Sequence, residues 1–384
     1  MVEALVNPNI LAWARERAGF AVSDIADKMK IKQDKVLAWE AGEKKPTFRQ
    51  AQKFADKTFI PFGYLFLNEP PREPLPIPDL RTVGDHPVGS FSLALKDTIH
   101  ATIERRDWYH EYRLEQGLPA LNWVGQLTFG NVEEAVATVR ALLSEHTAAR
   151  PSQFHQYFTL LIERMEALGI LVMRNSVVGN NTSRSLNPQE FRGFAIAHPH
   201  APVIFINTAD VTQAWTFTLM HEFVHLMLGE SGVSDLSHKN DNQIEKFCNR
   251  VAAEFLVPSA EMVQLWQSDI ENWKGNLPEL SAHFHVSHWV ISRRALELGL
   301  INEDQYWAHY RKIIAEFQKT KDEQRQKDGG PPFARLINMR YSKNLAAAVA
   351  SEALSGRMLL RDAQHLIGVQ PSKLKSFAKS ELKF

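Results

Sequence analysis

Cysteine is nearly absent from this chain of 384 residues: Cys248 is the single one, so no intramolecular disulfide can form and zinc sites built on several cysteines are excluded. Any metal chemistry then falls to His and carboxylate ligands, and a reducing compartment fits. No run of about 18 apolar residues occurs, which removes a membrane-spanning helix from consideration. The N-terminus MVEALVNPNILAWARERAGF lacks the charged start, apolar core and small-residue cleavage site of a signal peptide. Net charge is missing as well, because 44 Lys plus Arg are balanced by 44 Asp plus Glu. The whole molecule is therefore no basic polyanion binder, and a nucleic-acid contact would have to come from a local patch. No repeat with a period of roughly 20 to 50 residues stands out. These absences lead us to expect a soluble cytoplasmic protein without membrane contact, large enough for two or three domains of about 100 to 200 residues.

Two composition breaks divide the chain. Closely spaced prolines in NEPPREPLPIPDLRTVGDHP forbid helix and mark a linker or wrapping arm over 69–90, after a small helical unit at 1–68. The polar run QKTKDEQRQKDGGPP marks a second linker over 318–332, ahead of a helical C-terminal tail at 333–384. Between the breaks, Phe91–Gln116, Val132–Leu143 and Phe154–Leu168 carry apolar residues at helical spacing. GILVMRN, FRGFAIAH and PVIFIN are short β-branched or aromatic runs bounded by Gly, Pro and Asn, and so read as strands of a small sheet. The fold class expected is α+β: an all-α N-terminal domain, a mostly helical domain with a small sheet over 91–270, a helical subdomain over 271–317, and the helical tail.

The densest chemical signal is NTADVTQAWTFTLMHEFVHLMLGESG, which holds His221, Glu222 and His225 in an HExxH arrangement. Asp210 and Gln213 have the spacing of a capping box, and Gly229 is a natural stop, so one helix carries the motif. At 3.6 residues per turn, imidazoles at i and i+4 leave the same face and can meet at one cation. Glu222 lies beside them as a base for a water whose pKa the ion has lowered. The alternative is a pair of core histidines. However, Phe217, Leu219, Met220, Phe223, Val224, Leu226, Met227 and Leu228 make this helix apolar nearly all round. Burying two imidazoles and a carboxylate without partners would be costly, and a divalent cation satisfies all three. A third ligand is sought in DNQIEKFCNRVAAEFLVP, where Ile244, Phe247, Cys248, Val251, Ala252 and Phe255 form the apolar stripe. Glu245 and Glu254 fall on opposite flanks of it. Asn249 shares a flank with Glu245 and could hold a histidine in its ligating tautomer, which favours Glu245.

These segments resemble the ImmA/IrrE metallopeptidases, a family similar to gluzincins. The resemblance covers roughly Arg192–Pro258 and rests on RGFAIAHPHAPVIFIN, FTLMHEFVHLMLG and EKFCNRVAAEFLVP. It implies Zn2+ held by His221, His225 and Glu245, with Glu222 as general base in a zinc metalloendopeptidase whose substrate is a specific protein such as a repressor. Cys248 stands where the family usually has alanine, and we read it as a buried hydrophobe. Peptide hydrolysis would need an extended substrate, and a nearby strand such as Val203–Asn207 could pair with it. His198, His200 and His238 are candidates by type alone for the oxyanion donor.

Near the N-terminus, Asn9–Ala18 reads as a helix. SDIADKMKIKQDKVLAWEAGEKKP then gives two short helices around a tight connection at Lys30–Lys32. This stretch resembles the XRE, or lambda-repressor-like, DNA-binding family, whose ending matches Trp39, Glu40, Gly42 and Pro46. The resemblance implies a recognition helix at Gln33–Ala41, with Lys32, Gln33 and Lys35 near bases or phosphates and Lys44, Lys45 and Arg49 on the backbone. Lys30 stands at the usual Gly, Lys32 at the usual small polar cap, and Asp34 adds negative charge. Over 1–68 there are 11 Lys plus Arg against 8 Asp plus Glu, a mild basic surplus. Farther on, Leu277–Ile301 has a helix, turn, helix rhythm with Ser287 as cap and Arg293 and Arg294 exposed, and we read it as a packing subdomain. The whole is read as an operator-binding, protein-cleaving regulator, homodimeric if it reads paired half-sites. The rival reading is an antitoxin and transcriptional repressor that binds a cognate toxin without proteolysis.

Overall fold

The computed structural model describes residues 2–71, 76–78, 82–83, 86–87, 91–144, 154–234, 242–268, 272–324 and 333–382. Two compact units are present, one comprising Met1–Pro76 with Ser90–Asp97, the other Ile77–Gly89 with Thr98–Phe384.

The first unit contains four helices, α1 (Pro8–Arg17), α2 (Val22–Met29), α3 (Gln33–Glu40) and α4 (Phe48–Thr58). Asn7 caps α1 by accepting from the Asn9 amide, and Thr47 and Gln50 form a reciprocal capping box on α4. Ile10, Leu11, Ile25, Val36, Trp39 and Phe54 meet in a closed core. The α2–α3 turn puts Lys30 in the left-handed region, φ 59°, a conformation that Gly would adopt at less cost. Lys32 stands at the cap of α3 without a capping bond, as its side chain requires. Glu40 joins two helices, since its carboxylate receives Arg15 Nε at 2.7 Å and Nη2 at 2.9 Å and so ties α3 to α1.

In the second unit the strand pair β1 (Thr82–Val83) and β2 (His86–Pro87) is followed by α5 (Leu93–Glu115), whose residues up to Asp97 belong to the first unit, then α6 (Val132–Leu142) and α7 (Phe154–Ala167). Then come β3 (Leu171–Asn175), a hairpin of β4 (Val177–Val178) and β5 (Asn181–Ser185), β6 (Gly193–Ile196) and β7 (Val203–Asn207). After α8 (Trp215–Leu228) the chain adds β8 (Gly232–Ser234) and α9 (Gln243–Leu256). Four strands form one mixed sheet in the order β3-β7-β6-β8, with β3 and β7 parallel and the remaining neighbours antiparallel. Every residue of β6 and β7 is buried, so neither strand alternates in polarity as a half-exposed strand would. The sheet packs against α8, and α8 against α9. The chain is thus α+β, with a small mixed sheet between helical regions.

Three expectations are corrected here. β7 lies inside the sheet, hydrogen-bonded to β3 on one side and β6 on the other, so it has no free edge to offer a substrate. Helix α8 starts at Trp215 after a 3-10 turn, and Asp210 does not cap it, because that carboxylate pairs with Arg192 and accepts from the Val211 amide. Arg294 is buried, not exposed: it donates to the Val257 carbonyl at the end of α9 and pairs with Glu254.

Helices α10 (Ser259–Leu265), α11 (Asn276–Phe284) and α12 (His288–Glu297) close over the core, with Ser287 accepting from the Val290 amide as the cap of α12. Helix α13 runs Glu303–Gln324, entering the segment read as a linker, whose remaining residues 325–332 lie outside the described ones. Of the tail, α14 (Phe333–Tyr341) lies against β3, followed by α15 (Lys343–Leu354), α16 (Leu360–Ile367) and α17 (Leu374–Phe377). Ser342 Oγ at 2.6 Å and the Lys343 amide at 2.9 Å both donate to Glu166 on α7, which anchors the tail to the body.

Candidate metal centre

Helix α8, which carries His221, Glu222 and His225, has no side-chain cap at its start and is tied down at its C-terminal end. Gly229 adopts φ 76° at the C-cap, where a side chain would be strained. The carbonyls of Leu226 and Met227 accept from the amides of Gly125 and Leu127, so the last turn is tied to a neighbouring loop. Helix α9 is started by Asn242, whose side chain accepts from the Ile244 amide at 2.9 Å. Glu245 therefore sits in the first turn, where the helix dipole favours a carboxylate.

The α8–α9 contact brings the side chains of His221, His225 and Glu245 together. The two Nε2 atoms stand 3.1 Å apart, His221 Nε2 lies 3.2 Å from Glu245 Oε2, and His225 Nε2 lies 3.0 Å from Glu245 Oε1. All three are fully buried, and among the described residues no other cluster of three His, Cys, Asp or Glu side chains could hold a metal. Neither carboxylate oxygen of Glu245 has a hydrogen-bond partner, so this buried group is not satisfied by protein alone. Four-coordinate bonds of about 2.0–2.1 Å place tetrahedral donor atoms roughly 3.3 Å apart, close to the separations seen here. The protonation state suits a cation too. Burial pushes the His221 imidazole down toward its neutral form, while Glu245 remains ionised because His221 and His225 outweigh the effect of its own burial.

Glu222 points elsewhere. Its Oε2 accepts from Ser234 Oγ on β8 at 3.2 Å, and its Oε1 has no partner. Burial, and then the nearby charge of Glu245, push its carboxyl well above the usual range, opposed by the Ser234 hydroxyl. Gly193 on β6 makes room for it: a Cβ there would lie 2.8 Å from Glu222 Oε1 and 2.8 Å from Thr218 Cγ2. Ser234 and Gly193 were not singled out in the sequence. Gly193 opens the GFAI strand, and only the packing of α8 on β6 reveals why a glycine stands there.

Asn249 is buried one turn beyond Glu245, and its Oδ1 has no hydrogen-bond partner. Glu254, the competing ligand by sequence, is taken by Arg294 and by the Ser259 amide and hydroxyl. Cys248 is fully buried and its thiol is pushed far up by burial, as suits a packing residue. His198 and His200 stand with His110 on α5 as a separate cluster, ring centroids 4.4 Å and 5.5 Å from His110, and His238 lies outside the described residues. In the first unit Lys32, Gln33, Lys44, Lys45 and Arg49 are exposed, while Lys35 is half-buried, with Nζ 5.6 Å from the Trp39 ring centroid.

No curated protein matches the chain. Residues 341–380, from the end of α14 to the residues after α17, match a domain family of unknown function, DUF8813. Residues 165–296 match the family model of the IrrE N-terminal-like domain, Peptidase_M78, so the part of the chain that builds the sheet and holds His221, Glu222, His225 and Glu245 is similar to a metallopeptidase domain.

Proposed function

We propose that this chain is a zinc-dependent endopeptidase that hydrolyses a specific protein, such as a transcriptional repressor, and that residues 1–68 bind operator DNA. The observation that carries the enzymatic half is the convergence of His221, His225 and Glu245 at 3.0–3.2 Å with Glu222 beside them and unused for ligation. These three side chains would hold the zinc, and Asn249 would steady the His221 ring. When bound, zinc supplies a lowered pKa for water and a polarised scissile carbonyl. Glu222 would take the water's proton at its carboxylate and return it to the leaving amine. Ser234 Oγ orients that carboxylate from one side, and Gly193 leaves the space it occupies.

Zinc per chain, measured by elemental analysis on wild type, His225→Ala and Glu245→Ala, tests the site: about one ion in wild type and none in either variant is expected. Glu222→Gln keeps shape and metal but cannot accept the proton, so it should abolish cleavage. A cellular function that survives this change would instead favour the rival reading, an antitoxin that binds a cognate toxin and uses the peptidase fold as a surface. DNA binding is supported by the exposed Lys32, Gln33, Lys44, Lys45 and Arg49. Charge reversal at Lys44 and Lys45 in the full chain should weaken promoter binding at low salt and flatten its salt dependence.

A further inference from the structure

The edge of the sheet beside Glu222 is already taken. Among the described residues strand β8 pairs with β6 alone, with Phe194 opposite Val233, so the second edge of β8 faces away from the sheet. The Val233 amide points to that side and donates to the carbonyl of Pro78 at 3.1 Å. Pro78 belongs to the proline-rich arm, and the side chain of Ile77 before it is buried, 6% exposed. Next along β8, Ser234 contacts Glu222, and Glu222, His221, His225 and Glu245 are all without solvent exposure.

An unpaired strand edge is where an extended peptide binds, through main-chain hydrogen bonds. β8 is the edge that carries a Glu222 partner, so a peptide lying on it would run past the base. Here the chain's own Pro78 lies on it. Pro78 has no N–H, so it accepts a bond from Val233 but returns none to the edge. A substrate strand with free amides can form more bonds along the same edge and so can displace it.

We propose that Ile77 and Pro78 form an internal occupant of the peptide-binding edge, a strap anchored by the Ile77 side chain, that holds the site closed until a substrate strand displaces it. This rests on the peptidase reading. The strap competes with substrate, and loosening it raises turnover of short peptides without altering the groups around Glu222.

The test uses the full zinc-loaded chain as wild type, Ile77→Ala and Ile77→Asp, the milder variant guarding against a fold defect. Amide hydrogen exchange reads the strap directly. Exchange at Val233 should rise about tenfold or more in Ile77→Asp, less in Ile77→Ala, while α8 and α9 amides keep their protection. Cleavage of a mixture of synthetic unstructured decapeptides should rise in the same order. Unchanged Val233 exchange in both variants overturns the proposal. Peptide cleavage by wild type that is no faster in variants with raised exchange overturns the inhibitory role and leaves the peptidase standing. Raised exchange with no cleavage by any of the three proteins overturns the peptidase reading and inhibition together.

Discussion

Single residues around Glu222 carry sharp steric demands. A Cβ at Gly193 would meet Glu222 Oε1 and Thr218 Cγ2 at 2.8 Å and the Phe205 carbonyl oxygen at 2.9 Å, and backbone cannot step aside as a flexible side chain can. Gly193→Ala should therefore cost about 1–3 kcal/mol by overpacking and displace the Glu222 carboxylate. Thermal denaturation and the rate of peptide hydrolysis check this, with zinc content unchanged because no ligand is touched. A variant as fast and as stable as wild type would show that Glu222 can sit elsewhere. The same scale explains which glutamate meets the two histidines. Glu245 and Glu254 share one helix and one residue type, yet Arg294 neutralises the second and leaves the first for the histidines.

Elements are joined in this molecule by a few polar contacts whose responses differ. Helix α5 meets the turn after β6 through His110, His198 and His200, with Arg106 and Asp107 also facing His198. Burial and then the charges of His110, Arg106 and His200 push His198 down to about 4. Since that lies below the usual 6.5, the unfolded chain takes up a proton that the folded one refuses. Stability from this contact is full above pH 6.5 and is lost as pH falls toward 4. His198 Nδ1 accepts from the amides of His200 and Ala201, a role an Asn oxygen can fill. His198→Asn should keep the turn and narrow the gap between urea midpoints at about pH 7 and pH 5 relative to wild type. In the first unit, Arg15 and Glu40 tie α1 to α3 with two bonds, and both side chains are close to nine-tenths buried. Allowing for solvent screening, Glu40→Ala should cost about 1–2 kcal/mol, read as a lower melting temperature of that unit with zinc binding in the other unchanged.

Across the molecule, no described helix is long and apolar enough to cross a membrane, and the only cysteine is buried packing. A metal ion at the proposed site would add to stability from outside the chain. A cation bound only by the folded chain at about a thousand times its Kd stabilises by about 4 kcal/mol, so chelation should lower the melting temperature while helix content below the transition stays nearly constant. A melting curve indifferent to chelator would count against a resident ion. Much of this was legible beforehand. His221, Glu222 and His225 share a helix because their spacing is local, and Glu245 followed from the flank it occupies relative to the apolar stripe on α9. Ser287 as a cap and the strands near Leu171, Gly193 and Val203 are equally short-range inferences. Sheet order was not legible: the hydrophobic run Val203–Asn207 suits an edge facing substrate and a buried centre equally well, and it proved to be the centre. The exposed reading of Arg294 failed for the same reason, since its partners Glu254 and Val257 are set by helix packing. Which residues share a helix face can be read from the order of amino acids, because a periodicity of 3.6 acts over a few neighbours. That Gly193, Ser234 and the Pro78 carbonyl meet around Glu222 and β8 emerges from packing, because strand register and the seating of a helix on a sheet depend on contacts between distant segments.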